Sequence, residues 1–151
     1  MLTLHDIHEI TQLKYRYFHA VDDHDWEAFG SLFADDARFD VSRAVDKDLT
    51  DPAWHDGAVF SGRDNIVAFV VRTMSPLRSI HHGYSPLIRE AGPGRAKVRW
   101  SMEDILLREE DGVQRPVLHG YGTYIEDCIK SGEEWLYERV ELRRTLVLPL
   151  A

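Results

Sequence analysis

Cysteine is almost missing from this chain of 151 residues, because Cys128 is the only one. A single cysteine excludes an internal disulfide and a zinc site built from several thiolates. Cys128 lies in a strand-like pattern, and we expect it to pack in the core. No His-x-His or His-x-x-x-His pattern of the kind that zinc sites use surrounds His81. We therefore expect neither a metal nor another cofactor.

Basic residues are also scarce, since 18 Lys and Arg stand against 26 Asp and Glu and give a formal charge of −8. They are scattered along the chain, whereas contact with phosphates needs a basic stripe, so we expect no nucleic-acid partner. No apolar run approaches the ~20 residues of a membrane span. The first residues lack the basic and apolar regions of a signal peptide. We expect a cytoplasmic protein without a membrane partner.

The remaining composition, with 44% apolar and 29% charged residues, is that of an ordinary globular protein. A chain of this length can bury roughly 68–70% of its unfolded surface in one core. The sequence contains no internal repeat and no segment of low complexity. It therefore predicts a single domain over residues 1–151.

The first half of the chain has helical periodicity, because apolar residues recur at steps of three and four. Thr3 is the expected cap of the first helix, and Asp25 is the expected cap of the second. The predicted helices cover about residues 3–20, 26–33 and 65–74. The inward stripe of the first helix should comprise Leu4, Ile7, Ile10, Leu13, Tyr17 and Val21.

The second half has the period of two that is typical of strands. A short strand at about 38–41 precedes a polar segment, about 42–58, which we interpret as a mobile loop. Four strands separated by glycine-containing turns follow, at about 79–90, 95–108, 115–129 and 134–147. Helices first and an antiparallel meander afterwards predict an α+β fold, with the helices on one face of a curved sheet.

Two distant residues suggest chemistry. Asp22 ends the first predicted helix, and His81 opens the first strand of the meander. A carboxylate that orients an imidazole is a common way to abstract a proton without a cofactor. We predict that the two side chains approach to ~2.6–3.2 Å. The alternative is that Asp22 only ends the helix and His81 is a structural strand residue.

Several motifs, together with the order of the elements, resemble the SnoaL-like branch of the NTF2-like superfamily over nearly the whole chain. The resemblance implies a cone-shaped barrel, in which N-terminal helices pack on a strongly curved antiparallel sheet and enclose a pocket. Within the branch, the chain is most similar in look to bile-acid 7-alpha-dehydratases, scytalone dehydratases and lindane dehydrochlorinases, which are cofactor-independent lyases. The motifs are Tyr17-Phe18-x-x-x-Asp22, Ser79-Ile80-His81-x-Gly83 and Trp100-Ser101-Met102-Glu103-Asp104.

The resemblance implies roles for individual residues. His81 would be the base, Asp22 would orient it, and Tyr17 would donate a proton to an oxygen of the substrate. A functional arginine is implied at position 143 or 144, and the register counted from Trp135 favours Arg144. Residues that alternate along the strands complete the predicted substrate-binding set, because the concave face of such a sheet lines the pocket. That set is Trp100, Asp104, His119, Tyr121 and Arg144.

These roles predict a lyase that removes water from a hydrophobic hydroxylated ring compound, such as a steroid or a polyketide. A ketosteroid-type isomerase or a cyclase would use nearly the same residues. A protein like the non-catalytic β-subunits of this superfamily, or a small-ligand binder, is the alternative from another class. We also expect a homo-oligomer, with a trimer favoured over a dimer. That expectation rests on a predicted exposed patch, formed by the apolar segment 146–151 and by one side of the last strand. The residues that alternate onto this side are Trp135, Tyr137, Arg139 and Glu141.

Overall fold

The computed structural model describes residues 1–44 and 59–148. Most of the predicted loop at 42–58 and the end of the apolar segment 146–151 therefore lie outside the described residues. Within the described ranges, three helices and six strands follow one another along the chain. They are α1 (Leu4–Asp22), α2 (Trp26–Ser31), β1 (Phe33–Arg43), β2 (Val59–Ser61), α3 (Arg63–Met74), β3 (Leu77–Glu90), β4 (Arg95–Glu110), β5 (Val113–Ser131) and β6 (Glu134–Val147).

The six strands form one curved, open sheet in the order β2-β1-β6-β5-β4-β3, with the helices packed against it. Strands β3 to β6 are the predicted antiparallel meander. Strand β1 pairs with β6 in parallel, so the sheet is mixed and the expectation of a wholly antiparallel sheet was wrong for this pair. A hairpin imposes antiparallel pairing, but β1 and β6 are distant in sequence, and their connection leaves the direction free.

Helix α1 begins with the predicted cap. The Thr3 hydroxyl accepts a hydrogen bond from the Asp6 amide, and the Asp6 carboxylate accepts one from the Thr3 amide, which completes a capping box. The first turn of the predicted apolar stripe is wrong, because Leu4 is 86% exposed and Ile7 is 37% exposed. Asp6 takes the inward position of this turn and accepts hydrogen bonds from the side chains of Lys130 and Trp135.

The start of β1 was placed wrongly. Asp25 does cap α2 by accepting a hydrogen bond from the Ala28 amide at 3.0 Å. The helix nevertheless ends at Ser31, and Phe33, which was predicted to be helical, is the first residue of β1. The Phe33 side chain is completely buried and lies beside Tyr137 of β6. Burial against the neighbouring strand therefore outweighs the short helical pattern.

The inward face of β6 belongs to the core. Trp135 and Tyr137 are buried, so the prediction that they form an exposed patch was wrong. Cys128 packs in the same core, as predicted. Leu146, at 51% exposed, is what remains of the patch among the described residues. The homo-oligomer stays a prediction, and it is supported by less exposed apolar surface than the sequence indicated. Across residues 1–44 and 59–148, none of the helices is long and apolar enough to cross a membrane.

Removing the cap of α1 should weaken the fold measurably. Thr3→Ala deletes the hydroxyl that satisfies the Asp6 amide, and we expect the free energy of unfolding to fall by about 1 kcal/mol. Urea unfolding followed by circular dichroism measures the change. Thr11→Ala is the matched control, because the Thr11 hydroxyl only donates to the Ile7 carbonyl on the exposed side of the helix. The control should be neutral or slightly stabilising, since alanine favours helix interiors. Equal losses in both variants would contradict the role of the cap.

Candidate functional site

The predicted contact between Asp22 and His81 is present. Asp22 is the last residue of α1, which packs across β3, and its Oδ1 lies 2.6 Å from Nδ1 of His81. The same carboxylate accepts hydrogen bonds from the Ser79 hydroxyl at 2.8 Å and from the His81 backbone amide at 3.0 Å. Three donors on β3 therefore hold the Asp22 side chain in one orientation.

The contact also determines which nitrogen of the imidazole carries the proton. Burial alone would raise the pKa of Asp22, but the hydrogen bonds and the charge of His81 outweigh it, and the pKa lies below its ordinary value. An ionised carboxylate can only accept, so Nδ1 of His81 carries the hydrogen. The lone pair of the neutral ring is then on Nε2, the nitrogen that a base would use. Phe18 stacks on the ring at 6.0 Å between centroids.

A second carboxylate lies on the other side of the imidazole. Oδ2 of Asp104 is 4.0 Å from Nε2 of His81, and Asp104 is completely buried. Its charge is balanced by Arg144, whose Nε donates to Oδ1 at 3.1 Å and whose Nη2 donates to Oδ2. Burial lowers the pKa of Arg144, but the Asp104 carboxylate more than offsets this and raises it above the ordinary value.

Of the two candidate arginines near the end of the chain, Arg144 is the one that lies at the pocket. Its Nη1 donates to the Ala44 carbonyl, and its side chain lines the pocket described below. Arg143 instead pairs with Glu141, which lies on the other side of the strand. The alternation of β6 therefore assigns one arginine to the pocket and the other to the opposite face.

Gly120 makes room for this ion pair and was missed by the sequence analysis. A Cβ atom at Gly120 would lie 2.7 Å from Cδ of Arg144 and 2.8 Å from Oδ1 of Asp104. Any side chain on this position of β5 would therefore displace one of the two partners. A glycine inside a strand often marks a close approach of this kind, and that signal was present in the sequence.

His81 faces a pocket between the helices and the sheet. The pocket encloses about 640 Å³ of space, including the part that is open to solvent. Most of its lining is aliphatic or aromatic and comes from α1, β1, α3 and the meander. The polar members of the lining are Tyr17, Thr73, His81, Tyr124 and Arg144.

Tyr17 points into the core, as predicted, and lines this pocket. Its ring packs edge-on against Phe29 at 5.2 Å and against Tyr124 at 5.7 Å. Burial raises the pKa of Tyr17 well above its ordinary value. The phenol therefore stays protonated and can donate.

Four residues predicted to line the pocket are not part of its lining, and one of them is Asp104, which pairs with Arg144. Trp100 is buried beneath α1, where its Nε1 donates to Oε2 of Glu126 at 3.1 Å, so the indole fills the core beside the pocket. His119 and Tyr121 lie on the opposite face of the sheet, and Nε2 of His119 contacts Glu103 at 2.8 Å. Because side chains alternate along a strand, those of His119 and Tyr121 point away from the face to which their neighbours on β5 point. Alternation in the sequence does not tell which of the two faces meets the helices.

A buried ion pair behind the pocket was also missed. Lys14 and Glu126 are both almost fully buried, and Nζ of Lys14 lies 2.6 Å from Oε1 of Glu126. Lys14 is on the inward face of α1 between Ile10 and Tyr17, and Glu126 has the inward parity on β5. The sequence did contain a signal for this ion pair, because each of the two apolar stripes includes one charged residue. Among the residues described, no group of three or more His, Cys, Asp or Glu side chains is arranged to hold a metal ion.

The bonds to Asp22 should make the fold sensitive to acid. Because the pKa of Asp22 is lowered in the fold, its ionised carboxylate stabilises the protein at pH values above the ordinary pKa of 3.8. This contribution is lost as the pH falls through the folded-state pKa. The difference in unfolding free energy between wild type and Asp22→Asn should therefore narrow from about pH 6 to about pH 3.

Urea unfolding at several pH values measures this difference. Asp23→Asn is the matched control, since it removes the adjacent carboxylate, which makes none of the three bonds to β3. The assignment would be contradicted if the difference in unfolding free energy between wild type and Asp22→Asn stayed constant with pH. It would also be contradicted if the difference between wild type and Asp23→Asn narrowed by the same amount.

Solved structures with the same fold include two from Novosphingobium aromaticivorans. One carries the provisional name aromatic ring hydroxylase and is 19% identical, with a TM-score of 0.80 over 100% of this chain and 95% of that chain. The other carries the provisional name scytalone dehydratase and is 19% identical, with a TM-score of 0.77 over 98% and 89%. A hexachlorocyclohexane dehydrochlorinase of type 2 is 13% identical, with a TM-score of 0.77 over 98% and 90%.

Sequence comparison gives the family directly. No curated protein matches the chain in sequence. The family model of the SnoaL-like domain, however, matches residues 2–141, which span α1 through most of β6. The match covers the elements that carry Asp22, His81 and Asp104. The chain therefore belongs to the SnoaL-like family of the NTF2-like superfamily.

Proposed function

We propose that this protein is a cofactor-independent lyase that removes water from a hydrophobic hydroxylated ring compound. The observation that carries the proposal is the bond between Asp22 and His81, which leaves Nε2 of the imidazole free beside a largely apolar pocket. The names of two similar structures, a scytalone dehydratase and a hexachlorocyclohexane dehydrochlorinase, support elimination chemistry on a ring. A steroid or a polyketide ring fits that description.

The reaction begins with the removal of a proton from carbon. Nε2 of His81 takes the proton, the electrons of the C–H bond form the double bond, and the bond from the neighbouring carbon to its hydroxyl breaks. The departing oxygen takes a proton from Tyr17 and leaves as water. The proton held by His81 then passes to the tyrosine through solvent, which restores both groups. Asp22 fixes the tautomer and stabilises the imidazolium as it forms.

The two carboxylates around His81 favour the charged intermediate. The imidazolium formed by proton abstraction would have Asp22 at Nδ1 and Asp104 near Nε2. The lining of the pocket is largely apolar, so these charges interact more strongly than they would in solvent. Asp104 is held for this role by Arg144, which also prevents an unpaired buried carboxylate.

The same geometry indicates the charge of the substrate. Arg144 is already neutralised by Asp104, so the pocket has no unpaired cation to attract a carboxylate. Its remaining N–H groups can still donate to a neutral carbonyl. A carbonyl beside the abstracted proton makes that proton more acidic, and the arginine would stabilise the enolate oxygen. We therefore favour a neutral hydroxy-ketone as the substrate class.

An isomerase is the second candidate. It would use the same base and the same donors, and would return the proton to another carbon instead of expelling water. The donors to an enolate oxygen, Tyr17 and Arg144, suit both reactions. A non-catalytic subunit or carrier would need the pocket but not a carboxylate–imidazole pair directed into it, so the pair favours an enzyme.

Replacing the base tests the proposal. Wild type is incubated with a panel of hydroxylated steroids and polyketide-type β-hydroxy ketones, and mass spectrometry detects a product lighter by one water. His81→Ala should lower kcat by at least about 10²–10⁴-fold with folding retained. His82→Ala is the matched control, because it removes the next imidazole, on the opposite face of β3. A product of unchanged mass would favour the isomerase. If His81→Ala kept the kcat of the wild type, the active site would lie elsewhere.

Replacing the carboxylate tests the role of Asp22. Asp22→Asn keeps the shape of the side chain but removes the acceptor that fixes the hydrogen on Nδ1 of His81. We expect kcat to fall by up to about 10⁴-fold, since the amide favours the wrong tautomer. A kcat equal to that of the wild type would contradict the assignment.

A further inference from the structure

Lys14 is buried in the apolar core, where removing its ammonium from water costs free energy. Its side chain is 0% exposed within the apolar layer between α1 and the sheet. The chain provides one carboxylate for it, Glu126, whose Oε1 is 2.6 Å from Nζ. The other oxygen of Glu126 accepts from Nε1 of Trp100 at 3.1 Å, so both carboxylate oxygens have a donor.

Fold stability does not explain this pair. Removing two charges from water costs several kcal/mol per ion, and well-packed apolar residues of similar size are often as stable or more stable. The pair is also absent from the proposed chemistry, because neither side chain lines the pocket. The position of the pair relative to the pocket suggests a role in the active site.

The ammonium lies directly behind the aromatic wall of the pocket. Nζ of Lys14 is 3.2 Å from the centroid of the Tyr124 ring and 4.2 Å from that of the Tyr17 ring. Both distances are within the ~6 Å over which a cation is attracted to a ring face. Both tyrosines also line the pocket.

We propose that Lys14 is a positioning residue of the active site, and that its ammonium acts through the rings of Tyr17 and Tyr124. The inference rests on the proposed function in one respect, the role of Tyr17 as a proton donor. The cation holds the two rings in a fixed orientation. It also withdraws electron density from them, which makes each phenol a stronger hydrogen-bond donor to an oxygen in the pocket.

The charge states of the surrounding groups are consistent with this role. Burial lowers the pKa of Lys14 to about 8 against the opposing effect of Glu126, so the ammonium form prevails at neutral pH. Burial also raises the pKa values of the neighbouring phenols and thiol, which keeps those groups neutral. They are Tyr17, Tyr124, Tyr137 and Cys128. Burial raises the pKa of Glu126 as well, and the charge of Lys14 opposes that effect. The Glu126 carboxylate lies 2.6 Å from the ammonium and holds it in place.

The first test removes the cation without leaving an unpaired charge. The pair variant Lys14→Met/Glu126→Gln keeps both shapes and retains an acceptor for Trp100. Lys97→Met/Asp127→Asn is the matched control, because it removes an exposed ion pair with a similar Nζ–Oδ1 distance of 2.8 Å. With an active substrate from the panel, kcat of the pair variant should fall by about tenfold with little change in KM, and the control should stay within about twofold.

The second arm asks whether the effect passes through Tyr17. In a Tyr17→Phe background, the same pair substitution should change kcat by less than about twofold, since the phenol on which the cation acts is gone. A pair that only supports the fold would lower kcat equally in both backgrounds. Equal losses would therefore overturn the proposal, as would an unchanged kcat in the Tyr17 background.

A readout without turnover separates this proposal from the proposed function. The protein is labelled with 3-fluorotyrosine, and the ¹⁹F resonances of Tyr17 and Tyr124 are assigned by single Tyr→Phe variants. In the pair variant both resonances should move, while those of Tyr84 and Tyr121 on the opposite face stay in place. The control should leave all four unchanged. If no substrate reacts but these resonances move, the function has failed and the coupling stands. If they do not move, the coupling is overturned.

Discussion

Charge inside the apolar layer is the constraint on which the rest of the site depends. Asp104, Lys14 and Glu126 are buried, and Arg144 is nearly so, on the side of the sheet that faces the helices. Each of these ions has its partner on another element, because an isolated charge in this layer would be too costly. The Lys14–Glu126 pair joins α1 to β5, and the Asp104–Arg144 pair joins β4 to β6. The sheet and the helix are thus held in one register around the pocket.

Helix α1 supplies three residues of this arrangement. Lys14, Tyr17 and Asp22 each contact the sheet, through Glu126, Tyr124 and His81 respectively. The capping box at Thr3 and the bonds from Asp22 to β3 anchor the two ends. A rotation of the helix would therefore move the carboxylate that orients the base, the proton donor and the buried cation together. Chemistry and packing here share the same contacts.

Much of the fold was predictable because it follows from local periodicity. The helical stripe placed α1 and α3, and the period of two placed the four strands of the meander with small errors at their ends. Asp22 and His81 could be paired because a resemblance supplied motifs around both. Trp100, His119 and Tyr121 could not be placed correctly. Alternation tells which residues share a face of a strand, but the packing of the whole sheet decides which face meets the helices.

Local patterns and recognisable motifs were enough to predict the α+β class, the cap of α1, the extent of the meander and the identity of the carboxylate and the imidazole, because these depend on neighbours within a few positions. The assembled fold was needed for the parallel pairing of β1 with β6, the placement of Arg144 rather than Arg143 at the pocket and the pairing of Lys14 with Glu126. Each of these joins residues that are distant along the chain. Their partners are chosen by burial and charge compensation in the assembled core, and no local pattern contains that information.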